Sequence, residues 1–379
     1  MAGMLYAGKA GEAACRCCGR TETDISKALG VCRDCVVAGG DLVDELLWES
    51  RQAARAGYST PAFPPRGDGG ALCRMCANRC RIAPGGLGFC GLRENRGGRL
   101  HHLAGTSRAG VFTAYHDALP TNCVADWVCP GSSGAGYPDY SYARGAERSY
   151  KNLAVFLAAC SFDCLFCQNW TFRLNTEELA PLRPPEALAA MVDKRTSCVC
   201  YFGGDPAPQM PFALAASRLA LKRASGRILR VCWETNGSMH PGLLKKALSM
   251  SLQTGGCIKF DLKAFEPRLH QALTGASNAR TLENLRLAVE LSAGRKDPPP
   301  VVVSTLMVPG YVGAEEVARI ARFLASLDKD IPYSLLAFHP CYLMEDMGTT
   351  GKEWAAECLR AAEGEGLTRI KLGNVHLLS

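Results

Sequence analysis

From residue 151 onward, short apolar runs alternate with amphipathic stretches, and this alternation restricts the fold more than any other feature of the chain. The strand-like runs are Leu153–Ala158, Cys198–Phe202, Arg230–Trp233, Cys257–Asp261, Val301–Met307 and Tyr333–Phe338. Between them lie helical patterns at Pro185–Lys194, Phe212–Ala224, Pro241–Met250, Thr281–Ser292 and Ala314–Leu327. A last helix near Trp354–Glu363 precedes a short run ending at Leu378. Strands that alternate with helices at this spacing form βα units on a parallel sheet. The runs are continuously apolar, as strands covered on both faces must be. The expected fold class is therefore α/β, a partial (β/α)6 TIM-like barrel. An irregular, Cys-rich, metal-binding N-terminal region precedes it.

Twenty of the 379 residues are cysteine, about three to four times what a typical cytosolic chain carries and too diluted for a small disulfide scaffold. No long apolar run marks Met1–Gly30 as a secretory signal, and no stretch is long enough to span a membrane. A cytoplasmic setting is expected, in which clustered cysteines bind metal. The clusters are well separated. Cys15-x2-Cys18 and Cys32-x2-Cys35 read as two knuckles of a four-thiolate zinc-ribbon or rubredoxin-like site, with Cys17 to spare. Cys73, Cys76, Cys80 and Cys90 can hold an all-cysteine iron–sulfur cluster, with zinc as the alternative. Cys160-x3-Cys164-x2-Cys167 directly follows the first strand, on the face where barrel enzymes keep their chemistry. Three close thiolates leave one iron of a cubane without a protein ligand, and an open metal position marks a reactive site. Cys198, Cys200, Cys232, Cys257, Cys341 and Cys358 are scattered and read as small buried hydrophobes. Cys123 and Cys129 are either ligands, a buried pair or free thiols.

The net charge is +7, and residues 61–110 carry eight arginines against Asp68 and Glu94, nearly the whole excess. Because these arginines interleave with Cys73–Cys90, they are expected to offset an anionic cluster. Nucleic-acid binding is not expected, since no RNA-binding signature or long basic run accompanies them. Asp41–Arg55 reads as an amphipathic helix with Leu42, Leu46 and Leu47 on one side. Ser59–Gly70 is rich in Pro and Gly and marks the clearest boundary. The expected divisions are 1–60, a metal knuckle plus helix; 61–150, an irregular auxiliary-cluster segment and insertion; and 151–379, the barrel.

With these motifs in order, the chain resembles the radical S-adenosylmethionine (radical SAM) superfamily over roughly residues 70–379. Cys160, Cys164 and Cys167 match its cluster loop, with Phe166 at the aromatic position before the third cysteine. Gly203-Gly204-Asp205-Pro206 matches the family's Gly-Gly-Glu-Pro, with Asp for Glu. Glu234-Thr235-Asn236-Gly237, Asp261-Leu262-Lys263 and Phe338-His339-Pro340 look like strand-end motifs of the pyruvate formate-lyase activating enzyme. Cys73–Gly98, Cys167-Gln168-Asn169-Trp170, Ala264-Phe265 and Gly373-Asn374-Val375 resemble the AmmeMemoRadiSam-system radical SAM proteins. Where those proteins carry a lysine-rich stretch, this chain has a longer segment, Thr121–Tyr150, containing Cys123-x5-Cys129.

The resemblance implies a [4Fe-4S] cluster that binds SAM and cleaves it reductively to a 5′-deoxyadenosyl radical, which abstracts hydrogen from a substrate. It implies that Gly203 and Gly204 let backbone approach the cofactor, with Asp205 and Asn236 beside it, and that Lys263 and His339 face the SAM carboxylate or ribose. Glu234, Thr235 and Asp261 resemble oxygen ligands of a monovalent-cation site; the alternative is a set of strand-end hydrogen bonds. Cys341 would lie near the radical as a hydrogen-atom or thiolate donor, or be inert. A small molecule, lipid or peptide is the expected substrate. Activation of a glycyl-radical partner protein is the alternative, and a non-catalytic electron-transfer protein is an alternative of another class. Reduced flavodoxin or ferredoxin is the electron donor that the resemblance implies.

Overall fold

A computed structural model describes residues 12–22, 24–121 and 123–379. Its centre is a nine-stranded sheet, built from β1 (Gly110–Ala118), β2 (Lys151–Leu157), β3 (Leu182–Arg183), β4 (Thr196–Phe202) and β5 (Arg230–Thr235). It continues with β6 (Ile258–Asp261), β7 (Val301–Met307), β8 (Tyr333–Ala337) and β9 (Ile370–Gly373). The spatial order is β9-β8-β7-β6-β5-β4-β2-β1-β3, so the two ends do not meet and the barrel stays open. The strands from β2 to β9 pair in parallel, except β3, which pairs antiparallel with β1 at the far edge. All six expected strands form, and the run before Leu378 supplies β9 as a seventh parallel strand.

The continuous apolar runs are strands because helices cover their outer faces. All seven residues of β7 are buried. The helix Ala314–Leu327 buries Val317, Ile320, Ala321 and Leu324, the i, i+3, i+4, i+7 stripe of a helix lying on a sheet. No helix among the described residues is long and apolar enough to cross a membrane.

Two expectations need correction. The stretch from Cys73 to about Tyr150, read as irregular, contains the nine-residue β1, antiparallel to β2 through seven register pairs. Its alternation is broken by Val111 and Phe112, which are both buried, so the period-2 signal is weak. The helix Asp41–Arg55 does form, but Leu42 is exposed, and its buried face is Val43, Leu46, Ser50, Arg51, Ala54 and Arg55. Two arginines face inward because a carboxylate of the barrel receives them, a partner that sequence periodicity cannot show.

The N-terminal segment shares a core with the barrel. Ile25, Leu29, Val36, Val43 and Leu46 pack with Leu165, Phe166, Leu269, Leu306 and Phe338. Ser26 N–H donates to Tyr311 Oη at 3.0 Å, and Tyr311 Oη donates to the Val31 carbonyl at 3.0 Å.

Candidate active site

Cys160, Cys164 and Cys167 stand on the loop after β2 and line one cavity at the C-terminal mouth of the sheet. The rest of the wall includes Phe166, Gly203, Gly204, Asp205, Glu234, Thr235, Asn236, Asp261 and Lys263. They come from the ends of four strands, β2, β4, β5 and β6, the arrangement that lets a parallel barrel gather distant residues. The Phe162 N–H lies 3.3 Å from Cys160 Sγ, and Asn236 Nδ2 lies 3.7 Å from it. Burial pushes the thiols up, Cys164 to about 12, so their thiolate forms need a cation close by.

Gly203 and Gly204 both have positive φ. A Cβ on Gly204 would stand 2.3 Å from the Ala159 carbonyl oxygen and 2.4 Å from that of Leu157, and one on Gly203 would stand 2.4 Å from the Phe156 ring. The neighbours that require glycine here are therefore the end of β2 and the cluster loop. Asp205 is buried and ties two strand ends together. Its Oδ1 accepts from Thr235 Oγ1 (2.8 Å) and the Asn236 N–H (2.9 Å), and its Oδ2 accepts from the Ala207 N–H (2.8 Å). Burial raises its pKa to about 6 despite these donors.

The other strand-end oxygens are also partnered within the chain. Asp261 accepts from Ser304 Oγ and pairs with Lys263 Nζ, each at 2.7 Å. Glu234 lies 3.2 Å from Lys259 Nζ. Burial disfavours the charged Lys263, but Asp261 and the nearby Cys164 outweigh it and keep the ammonium form. His339 and Cys341 are not among the cavity-lining residues; Cys341 Sγ instead lies 3.7 Å from the Cys167 carbonyl.

Sequence reasoning missed the charged cluster behind the loop. Asp163, between the first two cysteines, pairs with Arg55 and Arg173, and Arg51 lies beside it. The expected arginine setting belongs partly here. Of the eight arginines in residues 61–110, Arg93 spends its guanidinium on the Leu92, Ala104 and Pro208 carbonyls, and Arg96 pairs with Glu94. The readable signal was an acid inside the cysteine loop with Arg173 ten residues on; Arg51 and Arg55 carried no such mark.

The other cysteine groups also assemble. The Cys73–Cys90 segment docks against the end of β5: Ala77 N–H donates to Ser238 O (2.8 Å) and His240 N–H to Met75 O (2.9 Å). Asn78 Nδ2 donates to Ser161 O at 2.7 Å, reaching the residue after Cys160. Cys90 and Cys160 line the same small cavity beside Arg55 and Arg173. The ligand atoms of Cys15, Cys18, Cys32 and Cys35 lie within 4.8 Å of one another, close enough for one ion; Cys17 is exposed.

Residues 155–324 match the family model described as Radical SAM superfamily. This segment is a radical SAM domain. Across 308 residues the chain is 24% identical to an uncharacterized protein of Methanocaldococcus jannaschii, covering 80% of this chain and 81% of that one. It is 34% identical over 139 residues to the isethionate sulfite-lyase activating enzyme of Oleidesulfovibrio alaskensis, which is 36% of this chain but only 40% of that enzyme. It is 22% identical over 230 residues to the pyruvate formate-lyase 1-activating enzyme of Escherichia coli K12, 57% of this chain and 85% of that enzyme. The chain thus carries a radical SAM domain within an open α/β barrel, preceded by a Cys-rich N-terminal region. The cofactors of a radical SAM domain are a [4Fe-4S] cluster and S-adenosylmethionine.

Proposed function

We propose that Cys160, Cys164 and Cys167 hold the catalytic cluster and that the enzyme abstracts hydrogen from a compact organic substrate, a small molecule or a single extended lipid or peptide segment. The donor set fits: three half-buried thiols share one cavity wall, and backbone and amide N–H groups point at Cys160 sulfur. When bound, the cluster supplies one-electron reductive cleavage of SAM to methionine and a 5′-deoxyadenosyl radical. The chain's own residues bind, orient and shield. Lys263, held charged by Asp261, offers an ammonium to the SAM carboxylate. Phe166 walls the loop. Asp205 fixes the ends of β4 and β5 so that Asn236 stays against Cys160.

The observation that favours a compact substrate is a second cavity, about 380 Å³, in the gap between the first and last strands. It shares Val124, Gln168, Glu234, Leu336 and Asn374 with the first cavity. Its size suits a small ligand. The insertion covers it, and Asp126 reaches across to pair with Lys371 of β9 at 2.8 Å. Glycyl-radical activation is the second reading, supported by the names of the relatives.

Cys73, Cys76, Cys80 and Cys90 are proposed to hold an auxiliary cluster that relays electrons, because Cys90 shares a cavity wall with Cys160. The four N-terminal thiols are proposed to hold one zinc or iron ion as a structural centre. The test is anaerobic incubation of the reduced holoenzyme with SAM. The expected product is 5′-deoxyadenosine, absent in Cys164→Ala; equal turnover in that variant would overturn the reading.

A further inference from the structure

Four of the scattered cysteines converge. Cys200 and Cys232 are register partners on β4 and β5. Cys257 is next to them, because the Trp233 N–H donates to its carbonyl at 3.0 Å. Cys198 lies two residues before Cys200, on the same face. All four are buried and pack with Leu119, Ala125, Val128 and Val302, and Cys123 and Cys129 of the insertion close over them.

This patch is not an ordinary apolar core. Lys259, 2% exposed, puts Nζ 3.0 Å from Cys123 Sγ and 3.2 Å from Glu234 Oε1. Arg230, at the start of β5, is paired to Glu147 at 2.8 Å, and Arg295 donates to the Ser251, Leu252 and Gly256 carbonyls. Burying cations is costly unless anions accompany them. Lys259 reaches into this group of six thiols, and thiolates at a metal centre would give its buried ammonium further anionic partners. Cys358 shows the contrast: it too is buried, but within apolar core and apart from the other thiols.

We propose that the barrel interior, one side-chain layer below the catalytic cavity, holds a further iron–sulfur cluster with Cys123 and Cys129 as ligands from the insertion and two ligands from Cys200, Cys232 and Cys257. No three of these thiols lie close enough together for a single ion, whereas a cubane spreads its ligands wider. The inference is independent of the substrate reading, because its readout is metal content.

The test compares iron and acid-labile sulfide in anaerobically reconstituted full-length protein and its Cys123→Ser/Cys129→Ser variant. The variant is expected to lose about four irons and four sulfides per chain. Cys358→Ser is expected to lose none. A folded double variant with wild-type iron and sulfide overturns the proposal, as does loss of zinc in place of iron. Should the variant not fold, anomalous scattering at the iron edge from crystals of the wild-type holoprotein decides. A peak between Cys129 and Cys232 supports the cluster, and no peak there overturns it.

Discussion

Arg55 Nε stands 3.0 Å from Asp163 Oδ2, joining the last turn of the N-terminal helix to the middle of the Cys160–Cys167 loop. Arg173 pairs with the other carboxylate oxygen, and Arg51 donates to the Asp163 backbone carbonyl at 2.6 Å. Burial alone would raise the Asp163 carboxyl, but the three guanidiniums outweigh it and hold it below the usual range. One carboxylate among three guanidiniums leaves excess positive charge beside the loop, which suits an anionic thiolate centre.

Asp163→Ala would leave three buried guanidiniums without their counter-charge. Loss of one side of a buried ion cluster costs about 3–5 kcal/mol. Denaturant unfolding should show that loss at neutral pH. The Asp163 contribution is present above the unfolded carboxylate pKa, because the folded value is depressed. It should fade only as the pH falls below about 4, so the difference between wild type and variant should narrow in acid.

Asp205 should behave with the opposite sign. Its folded pKa, about 6, lies above the ordinary 3.8, so its proton stabilises the fold. That stabilisation is complete below about pH 4 and is lost as pH rises through about 6. The whole effect is about 3 kcal/mol at most. Asp205→Asn cannot titrate, so the stability of wild type minus variant should fall across this window. A constant difference from pH 4 to pH 7 would show that the carboxyl is not raised.

Gly204→Ala would place a methyl group against two carbonyl oxygens at a backbone φ of +58°. The backbone term alone is about 1–3 kcal/mol, and neither carbonyl can move without shifting the cysteine loop. The expected outcome is a lower melting temperature and at least a several-fold drop in 5′-deoxyadenosine formation. Wild-type rates in this variant would mean the turn tolerates a side chain.

For the N-terminal centre, Cys18→Ser/Cys35→Ser should remove one metal ion per chain, measured by elemental analysis. It should also lower the melting temperature, since Ile25, Leu29 and Val36 hold their places in the shared core only while the knuckle is folded. A variant that keeps its full metal content would assign the ion elsewhere, and a metal-free variant that melts like wild type would show that the ion is not a structural centre.

The alternation of apolar runs and amphipathic helices was enough to read the parallel sheet, because strands buried on both faces leave a continuous apolar signature. Local spacing likewise exposed Cys15–Cys35, Cys73–Cys90 and Cys160–Cys167, since ligands close in sequence need no fold to bring them near. Strand β1 escaped, because its alternation breaks where both faces meet neighbours. The arginines aimed at Asp163 escaped too, since helix Asp41–Arg55 has no sequence mark for the acid more than a hundred residues away. Nor could spacing gather Cys123, Cys129, Cys198, Cys200, Cys232 and Cys257, which span 135 positions and are neighbours only because parallel pairing sets adjacent strands in register. Short-range pattern thus determined the sheet and the cysteine motifs; pairing between distant strands and the docking of the N-terminal helix decided which charges and thiols face each other.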